Sequence, residues 1–474
     1  MSKRVSFLLV FAILHFSVIA QLKVASVIGD NMVLQQNSKI KIWGKSTAGH
    51  TIKVSASWSA DANANAVANQ YGDWLVTLPT IAAGGPYQIT ISDAKEKMKL
   101  NNLLLGEVWL CSGQSNMEMV IAGMFGGVIK DADEIINDAD NNNIRVFTVT
   151  RNSVPTLQDT CSGSWKIANS ENVGNFSAVA YLYAKQLEHK LNVPIGIIST
   201  SFGGSKIEAW MSKEKLANYP EPLKEASQPK TAIQNKASQL FNGMINPVLN
   251  YTIKGAIWYQ GESNIVNYKD YPDLMVGLVS DWRSRFGVGD FPFYFVEIAP
   301  YWYNNSSAFG AALQRGQQQK AALLIPNSGI VSTVDIGEEK CIHPADKATV
   351  AKRLAYLALS ETYQKKGYNV KSPTYKSVAF KDSVATVTLD NAVSGMTSFG
   401  KVVDGFEVAG ADSIYHKATA TINRKLQIEV VSSQVKNPVA VRYAFRNYFE
   451  TRGWFYNAAN LPLPPFRTDN WEVK

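Results

Sequence analysis

The sequence predicts an α/β protein whose parallel sheet is flanked by β-rich regions at both ends of the chain. Apolar runs typical of buried strands lie at 108–111, 195–200, 256–259 and 293–298 of the 474 residues. They alternate with helix-like segments, as a parallel sheet requires. Shorter β-rich runs separated by turn residues precede and follow them. With 46% hydrophobic and 18% charged residues, the chain can bury globular cores, and long disorder is not expected.

The first twenty residues have the pattern of a secretory signal. Lys3 and Arg4 precede an apolar run, and Val18 and Ala20 suit a cleavage site before Gln21. An N-terminal membrane anchor is the alternative, although the run is shorter than the roughly 20 residues of a spanning helix. We therefore expect an exported protein, periplasmic or extracellular, with no membrane span after signal removal.

Three further regions follow the predicted signal 1–20. Residues 21–104 predict an N-terminal β-rich domain, with strands near 39–43, 51–57 and 87–91. Residues 105–365 predict the α/β domain, in which Ser177 can cap a helix that ends before Pro194 and a second helix is expected over 344–363. Residues 366–474 predict a C-terminal β-rich region, with strands near 383–389, 418–422, 426–430 and 440–443.

Charge and cysteine content exclude several classes of function. Loss of Lys3 and Arg4 lowers the formal net charge from +8 to +6 (8 − 2), and no Lys/Arg-rich run predicts nucleic-acid binding. The three cysteines (Cys111, Cys161, Cys341) are too few and too widely spaced for a disulfide framework or a paired metal site. At most one disulfide can form, and no metal is expected.

A candidate nucleophile follows the first strand of the α/β domain. The apolar run 108–111 leads into a Gly-containing turn that includes Gly113 and Ser115. Ligands bind at the carboxyl ends of parallel strands, and turn amides there can stabilise an oxyanion. The alternative is that Ser115 or Asn116 simply caps the next helix.

A nucleophilic serine needs a base, and only four histidines lie outside the predicted signal. His50 lies in a Gly-flanked turn of the first β-rich region, His189 lies late in an amphipathic helix, and His416 precedes a predicted strand. His343 remains, in a loop just before a predicted helix. It is the candidate base, with a structural loop histidine as the alternative.

Two more segments follow predicted strands of the same domain. Gly203 and Gly204 allow close approach of backbone to substrate, and one of their amides could donate to an oxyanion; an ordinary turn is the alternative. Gln260 and Asn264 offer carboxamides beside the carboxylate of Glu262, which could instead only orient its neighbours.

Four motifs occur in order along the chain: Gly113-Gln114-Ser115-Asn116-Met117, Gly203-Gly204 with Glu208-Ala209-Trp210, Trp258-Tyr259-Gln260-Gly261-Glu262-Ser263-Asn264, and Ile342-His343-Pro344 with Lys347. Together they resemble the sialate O-acetylesterase family of SGNH-type hydrolases. Residues 30–35 and the closing segment 461–469 are also similar to that family, so the resemblance covers essentially the whole chain after the predicted signal.

The resemblance implies an SGNH/flavodoxin-like three-layer α/β/α catalytic domain and a site without a cofactor. Ser115 would be the nucleophile and His343 the base. The oxyanion donors would be the Ser115 amide, an amide of Gly203 or Gly204, and the Gln260 side chain. Candidate substrate contacts are Asn116, Glu262, Asn264 and Arg315, with surface solvation as the alternative for Arg315.

One position departs from the SGNH pattern. The acid of that pattern stands three residues before the histidine, where this chain has Lys340. Asp335 is our first choice for the acid, because it ends an apparent strand and a short loop separates it from His343. Nearby alternatives are Glu338, Glu339 and Asp346, or a Ser-His dyad without a carboxylate.

The expected function is that of an exported serine esterase that releases acetate from an O-acetylated sugar or glycan. O-acetylated sialic acid is the first candidate substrate. An acetylxylan or other plant-glycan esterase, a non-catalytic carbohydrate-binding protein and a metal hydrolase are the alternatives. The sequence indicates no oligomeric state.

Overall fold

The structure, a computed structural model, describes residues 21–124, 126–219, 231–392 and 395–472. The predicted signal 1–20 lies outside the described residues. The N-terminal region consists of strands: β1 Lys23–Val24, β2 Val33–Gln35, β3 Lys39–Lys45, β4 Thr51–Ala56, β5 Asn63–Val67, β6 Asp73–Pro79, β7 Gly84–Ser92 and β8 Lys97–Gly113.

The central region alternates helices and strands. They are α1 Ser115–Glu118, α2 Ala132–Asn137, β9 Asn141–Thr148, β10 Trp165–Ala168, α3 Ser170–Val173, α4 Ala178–Leu191, β11 Ile195–Ser201, α5 Lys213–Leu216, β12 Gly255–Tyr259, α6 Tyr271–Phe286, β13 Phe293–Val296, α7 Gly310–Leu324, β14 Ser328–Val331 and α8 Lys347–Glu361. The strands pair in the order β10-β9-β11-β8-β12-β13-β14, antiparallel at β10 and parallel elsewhere. The predicted α/β class is confirmed.

Strand β8 joins the N-terminal region to the central sheet. Its first half pairs antiparallel with β7, and its second half lies parallel between β11 and β12. The boundary predicted at 104/105 therefore falls inside a continuous strand. The N-terminal strands that pair with β8 extend the same sheet that carries the candidate nucleophile.

Alternating side chains of the sheet pack against helices on both faces. Trp109 and Cys111 belong to the buried cluster formed with α4 and α8, whereas Val108 and Leu110 belong to the cluster that includes α6. This alternation follows from the period of two along a strand. Helix α8 begins at Lys347, later than predicted, because Asp346 Oδ1 accepts from Thr349 N at 2.9 Å and acts as the N-cap.

The C-terminal region forms separate antiparallel sheets, and its buried side chains form a third cluster together with Val334 of the central region. Its strands are β15 Thr374–Lys381, β16 Val384–Asp390, β17 Met396–Thr397, β18 Phe406–Ala409, β19 Tyr415–Ile422, β20 Ile428–Val431, β21 Ala440–Tyr443, β22 Tyr456–Asn457 and β23 Phe466–Arg467. The strand expected at 426 starts at Ile428, because Leu426 has a φ of 60° and belongs to the preceding turn. In the described part of the chain, no helix has the length and apolar character needed to cross a bilayer.

Candidate active site

The turn that carries Ser115 depends on a glycine. Gly113 has a φ of 145°, and a Cβ atom there would lie 2.2 Å from the backbone oxygen of Tyr259. Only glycine permits this approach of β8 to β12. The chain then turns, and Ser115 becomes the first residue of α1 at the carboxyl end of the sheet.

The structure brings Ser115 and His343 together from positions 228 residues apart. Ser115 Oγ lies 2.9 Å from His343 Nε2, and Nε2 accepts the hydroxyl hydrogen when the imidazole carries its proton on Nδ1. Burial, together with the nearby Lys347 ammonium, lowers the pKa of His343 to about 4. The imidazole is therefore neutral at ordinary pH and able to take a proton from Ser115.

Behind this pair lies a group of three buried side chains, Asn116, Glu262 and Lys347, here called the inner cluster. Asn116 Nδ2 donates to Glu262 Oε1 at 2.7 Å, and Lys347 Nζ donates to Asn116 Oδ1 at 2.5 Å. Asn116 Nδ2 also donates to the backbone oxygen of Ile342 at 3.1 Å, next to His343. The inner cluster therefore connects the turn that carries Ser115 to the loop that carries His343.

Burial moves both ionisable groups of the inner cluster toward neutrality. It raises the pKa of Glu262, although the hydrogen bond from Asn116 opposes the rise. It lowers the pKa of Lys347 to about 8, opposed by the Glu262 carboxylate. The two side chains support each other's charged forms through Asn116, which lies between them.

On the other side of the turn lie Glu118, Arg151 and Gly203, here called the outer cluster. Gly203 N donates to Glu118 Oε2 at 2.7 Å, and Arg151 Nε pairs with the same carboxylate. The Arg151 guanidinium also lies over the Phe202 ring, 5.0 Å from its centre. The Gly203 amide, one of the two predicted as oxyanion donors, is therefore bound to the Glu118 carboxylate in this structure. The other predicted donor, Gly204, is exposed and has a φ of 71°.

The predicted role of Gln260 as an oxyanion donor requires correction. Its side chain is fully buried, and Nε2 donates to Ser205 O at 3.0 Å and to Asn264 Oδ1 at 2.7 Å. Its Oε1 accepts from the Tyr271 hydroxyl at 2.9 Å. Both amide hydrogens are used internally, because a buried polar group without a partner would be costly.

All four predicted substrate contacts are internal: Asn116 and Glu262 are buried in the inner cluster, and the other two are buried elsewhere. Asn264 is fully buried and donates to Glu208 Oε2 at 2.9 Å. Arg315 is only 1% exposed, and its Nη2 donates to the backbone oxygen of Arg446. Burial lowers the pKa of Arg315, an effect that the Glu297 carboxylate opposes. Neither side chain is presented to a sugar in this structure.

Asp335, the first choice for the acid, pairs with a different residue. Its two oxygens accept from Arg353 Nη1 and Nη2 at 2.8 and 2.7 Å, and both side chains are buried. This is the two-pronged geometry that a guanidinium forms with a carboxylate. The assignment of Asp335 as partner of the histidine is corrected accordingly.

The three alternative carboxylates are engaged as well. Glu338 Oε1 accepts from Ala345 N at 2.8 Å, and Glu339 Oε1 accepts from the Ser306 hydroxyl at 2.8 Å. Asp346 caps α8. Each of the four predicted acids is therefore held by a group other than the imidazole. Ser115 and His343, the predicted nucleophile and base, do lie within hydrogen-bonding distance of each other.

Sequence reasoning assigned no role to Lys347, Glu118 or Arg151. Lys347 belongs to the fourth motif quoted above, with Ile342-His343-Pro344, and that association was the signal available. Glu118 lies three residues after Ser115 on α1. Arg151 follows β9 and offers no such local signal. Across the described residues, no three His, Cys, Asp or Glu side chains gather as a metal site, and the three cysteines form no disulfide.

Comparisons with known proteins identify similar sequences and a similar structure. A family model described as a carbohydrate esterase, sialic acid-specific acetylesterase, matches residues 105–360. Sialate O-acetylesterases of Mus musculus and Homo sapiens are 29% and 30% identical to the chain, over 93% of it and over 93% and 91% of their own lengths. A solved carbohydrate acetylesterase from Xanthomonas citri is 32% identical, with a TM-score of 0.86 over 95% of this chain and 100% of that one.

Proposed function

The chain belongs to the sialic acid-specific acetylesterase family of carbohydrate esterases, and on that premise we propose that it uses Ser115 and His343 to remove acetyl groups from sugar hydroxyls. The observation that carries the proposal is the 2.9 Å separation of Ser115 Oγ and His343 Nε2 at the carboxyl end of the parallel sheet. This is the geometry of a nucleophile and its base. It argues against a protein that only binds carbohydrate.

In the first half-reaction, Ser115 Oγ attacks the acetyl carbonyl carbon while His343 Nε2 takes the hydroxyl proton. The oxyanion that forms accepts hydrogen bonds from the backbone amides of Ser115 and Gly204, and from Gly203 when Glu118 releases it. His343 then protonates the departing sugar oxygen as its bond to the acetyl carbon breaks. The products are a free sugar hydroxyl and acetyl-Ser115.

In the second half-reaction, His343 Nε2 takes a proton from water, and the water oxygen attacks the acetyl carbon. The bond to Ser115 Oγ breaks, the proton returns to the serine, and acetate leaves. The proton that Ser115 or water loses on attack moves through the imidazole; the second hydrogen of the water leaves with acetic acid, which ionises in solution to acetate. The low pKa of His343 suits both steps, because the imidazole must begin each of them neutral.

The preferred substrate is proposed to be an O-acetylated sialic acid, in line with the names of the mammalian relatives. An acetylated plant glycan such as acetylxylan is the second candidate. The burial of Arg315 favours that candidate, because the cation expected to recognise a sugar carboxylate is directed inward. The predicted signal 1–20 supports export to a periplasm or the extracellular space.

We also propose that the central sheet and its helices form an SGNH-type three-layer domain. The packing of helices on both faces of the sheet supports this proposal. The β-rich regions at the two ends of the chain would then flank the catalytic domain.

Acetate release from O-acetylated sialic acids and from acetylated xylan tests the proposal directly. We expect turnover of at least one substrate by the intact enzyme and loss of turnover in Ser115→Ala. The matched control is Ser55→Ala, which removes the hydroxyl of an exposed serine on β4 and should leave turnover unchanged.

Circular dichroism separates a chemical effect from unfolding. Ser115→Ala should keep the spectrum of the intact enzyme, because the change removes one oxygen atom from the turn. Turnover that survives in the folded Ser115→Ala variant would contradict the proposed nucleophile.

A further inference from the structure

A cavity of about 680 Å³ lies between the outer face of α8 and the C-terminal region. Helix α8 presents Thr349, Arg353 and Tyr356 to it, at spacings of four and three residues that share one helical face. Lys347 instead reaches into the inner cluster. The helix therefore separates this cavity from Ser115 and His343, neither of which lines it.

Aromatic side chains form part of the cavity wall. Phe399, Trp454 and Tyr456 all line it, and Phe399 is 61% exposed. The Phe399 ring lies 5.6 Å from that of Tyr456, measured between ring centres. Exposed aromatic rings beside polar groups provide flat apolar faces against which the C–H face of a sugar ring can pack.

The turn that holds Phe399 is not one that favours phenylalanine. Phe399 and Gly400 both have positive φ, 52° and 74°, and Lys401 N donates to Ser398 O at 3.0 Å. Asn, Asp or Gly is preferred at the first of two such positions. The chain therefore carries a conformational cost to hold an aromatic ring at the rim of the cavity.

The cavity also has an excess of positive charge. Lys352, Lys401 and Arg452 line it; Arg452 pairs with Asp404, and within the described ranges neither lysine is paired with a carboxylate. The Lys352 ammonium lies over the Tyr356 ring, 5.5 Å from its centre. Of the two aspartates in the lining, one pairs with Arg353 and the other caps α8. The two lysines are therefore available to an anionic ligand.

The Lys401 side chain lies close to the backbone of Gly453. A Cβ atom added at Gly453 would lie 2.6 Å from Lys401 Cβ. Glycine at 453 thus allows the lysine to lie against the chain at the cavity wall. Substituting either residue should change the shape of the cavity without reaching the catalytic pair.

We propose that this cavity is a second, non-catalytic site that binds a carboxylate-bearing sugar unit of an acidic glycan. The aromatic rings would pack on the sugar ring, and Lys352 and Lys401 would pair with its carboxylate. The volume is within the range of small-ligand sites, about 300–1,000 Å³. Such a site would hold a glycan chain on the enzyme while the catalytic site acts elsewhere on it.

Calorimetric titration of the full chain with sialyllactose, digalacturonic acid and lactose tests this proposal. We expect at least one acidic probe to bind and lactose to bind at least tenfold more weakly. The acidic probe that binds identifies sialic or uronic acid as the source of the carboxylate. None of the probes carries an acetyl ester, so the result does not depend on the proposed esterase activity.

Variants with matched controls test whether the acidic probe binds in this cavity. Phe399→Ala and Lys401→Gln should each weaken binding of the acidic probe at least tenfold. Phe380→Ala, another exposed aromatic of the C-terminal region, and Lys425→Gln, an exposed lysine outside the cavity lining, should leave it unchanged. All four should retain turnover of p-nitrophenyl acetate.

Three results would overturn the proposal: no binding of either acidic probe at millimolar concentration, equal binding of lactose, or unchanged binding by every cavity variant that folds. The two cavity variants change different interactions, one apolar and one ionic. If one fails to fold, the other still decides the question.

Discussion

The inner and outer clusters lie on opposite sides of the turn that carries Ser115, and their side chains differ in burial. Asn116, Glu262 and Lys347 are all buried, whereas the Arg151 side chain of the outer cluster is 43% exposed. Buried charges must find fixed partners inside the protein, and exposed ones can exchange theirs with water or substrate. The inner cluster should therefore control how His343 ionises, and the outer cluster how substrate meets the oxyanion donors.

The largest loss of activity is expected from substituting Ser115 and His343, the proposed catalytic pair. We expect Ser115→Ala and His343→Ala each to lower kcat by about two to six orders of magnitude, because neither residue acts without the other. The double variant should lose little more. Multiplicative losses in the double variant would show that the two residues act independently.

The largest effect expected from a cluster is that of Lys347→Met. Below its pKa, His343 is protonated and cannot act as a base, and burial together with the Lys347 ammonium lowers that pKa to about 4. Without the ammonium, the pKa should rise part of the way toward the ordinary value of about 6.5, so activity on the acid side should be lost at higher pH. We also expect kcat to fall about 10- to 100-fold, because Asn116 loses its donor.

The pH profile of kcat/KM for p-nitrophenyl acetate measures this shift. Lys340→Met is the matched control: it removes the same charge three residues before His343 from an exposed side chain that lies over the Trp302 ring. Lys347→Arg should keep the acid limb near that of the intact enzyme. An acid limb that stays in place in Lys347→Met would contradict the role of the inner cluster.

A smaller effect is expected from Glu118→Gln in the outer cluster. The carboxylate accepts from Gly203 N at 2.7 Å, and a negative charge there opposes the oxyanion that forms on the substrate. The amide variant can keep the hydrogen bond without the charge, so kcat for p-nitrophenyl acetate should rise by about two- to tenfold. A fall of tenfold or more would instead give the carboxylate a direct part in the chemistry.

The sequence could predict which residues lie at the strand ends of the site, but not the directions of its buried side chains. The order of motifs is sufficient to select Ser115 and His343, which the structure brings within 2.9 Å, because strand ends and turns follow from local patterns. The direction of a buried side chain depends on residues far away in the chain. Gln260 turns toward Ser205, 55 residues before it, and no local pattern encodes that contact.

The fold shows the same division between local and distant information. The alternation of apolar runs with helical segments predicts the parallel sheet, because each element has its own period. The boundary at 104/105 could not be placed in the same way, since β8 runs without a break from Lys97 to Gly113. Only its partners change along its length, from the neighbouring strand β7 to β11 and β12, and the last two are distant in sequence.

The smallest effect on activity is expected from Asp335→Asn. Because the carboxylate pairs with Arg353, its neutral variant should keep kcat within about threefold. The cost should be in the free energy of unfolding: breaking a buried ion pair on one side costs about 3–5 kcal/mol. Urea denaturation and kcat for p-nitrophenyl acetate measure the two effects separately.

Asp404→Asn is the matched control for this last change, because Asp404 pairs with an Arg452 side chain that is 67% exposed. Exposed pairs contribute about 0–1 kcal/mol, so the control should unfold at nearly the same urea concentration as the intact enzyme. A large loss of kcat in Asp335→Asn at unchanged stability would restore Asp335 as the partner of His343. A loss of stability alone would show that the carboxylate serves the buried ion pair with Arg353, and that the imidazole works without it.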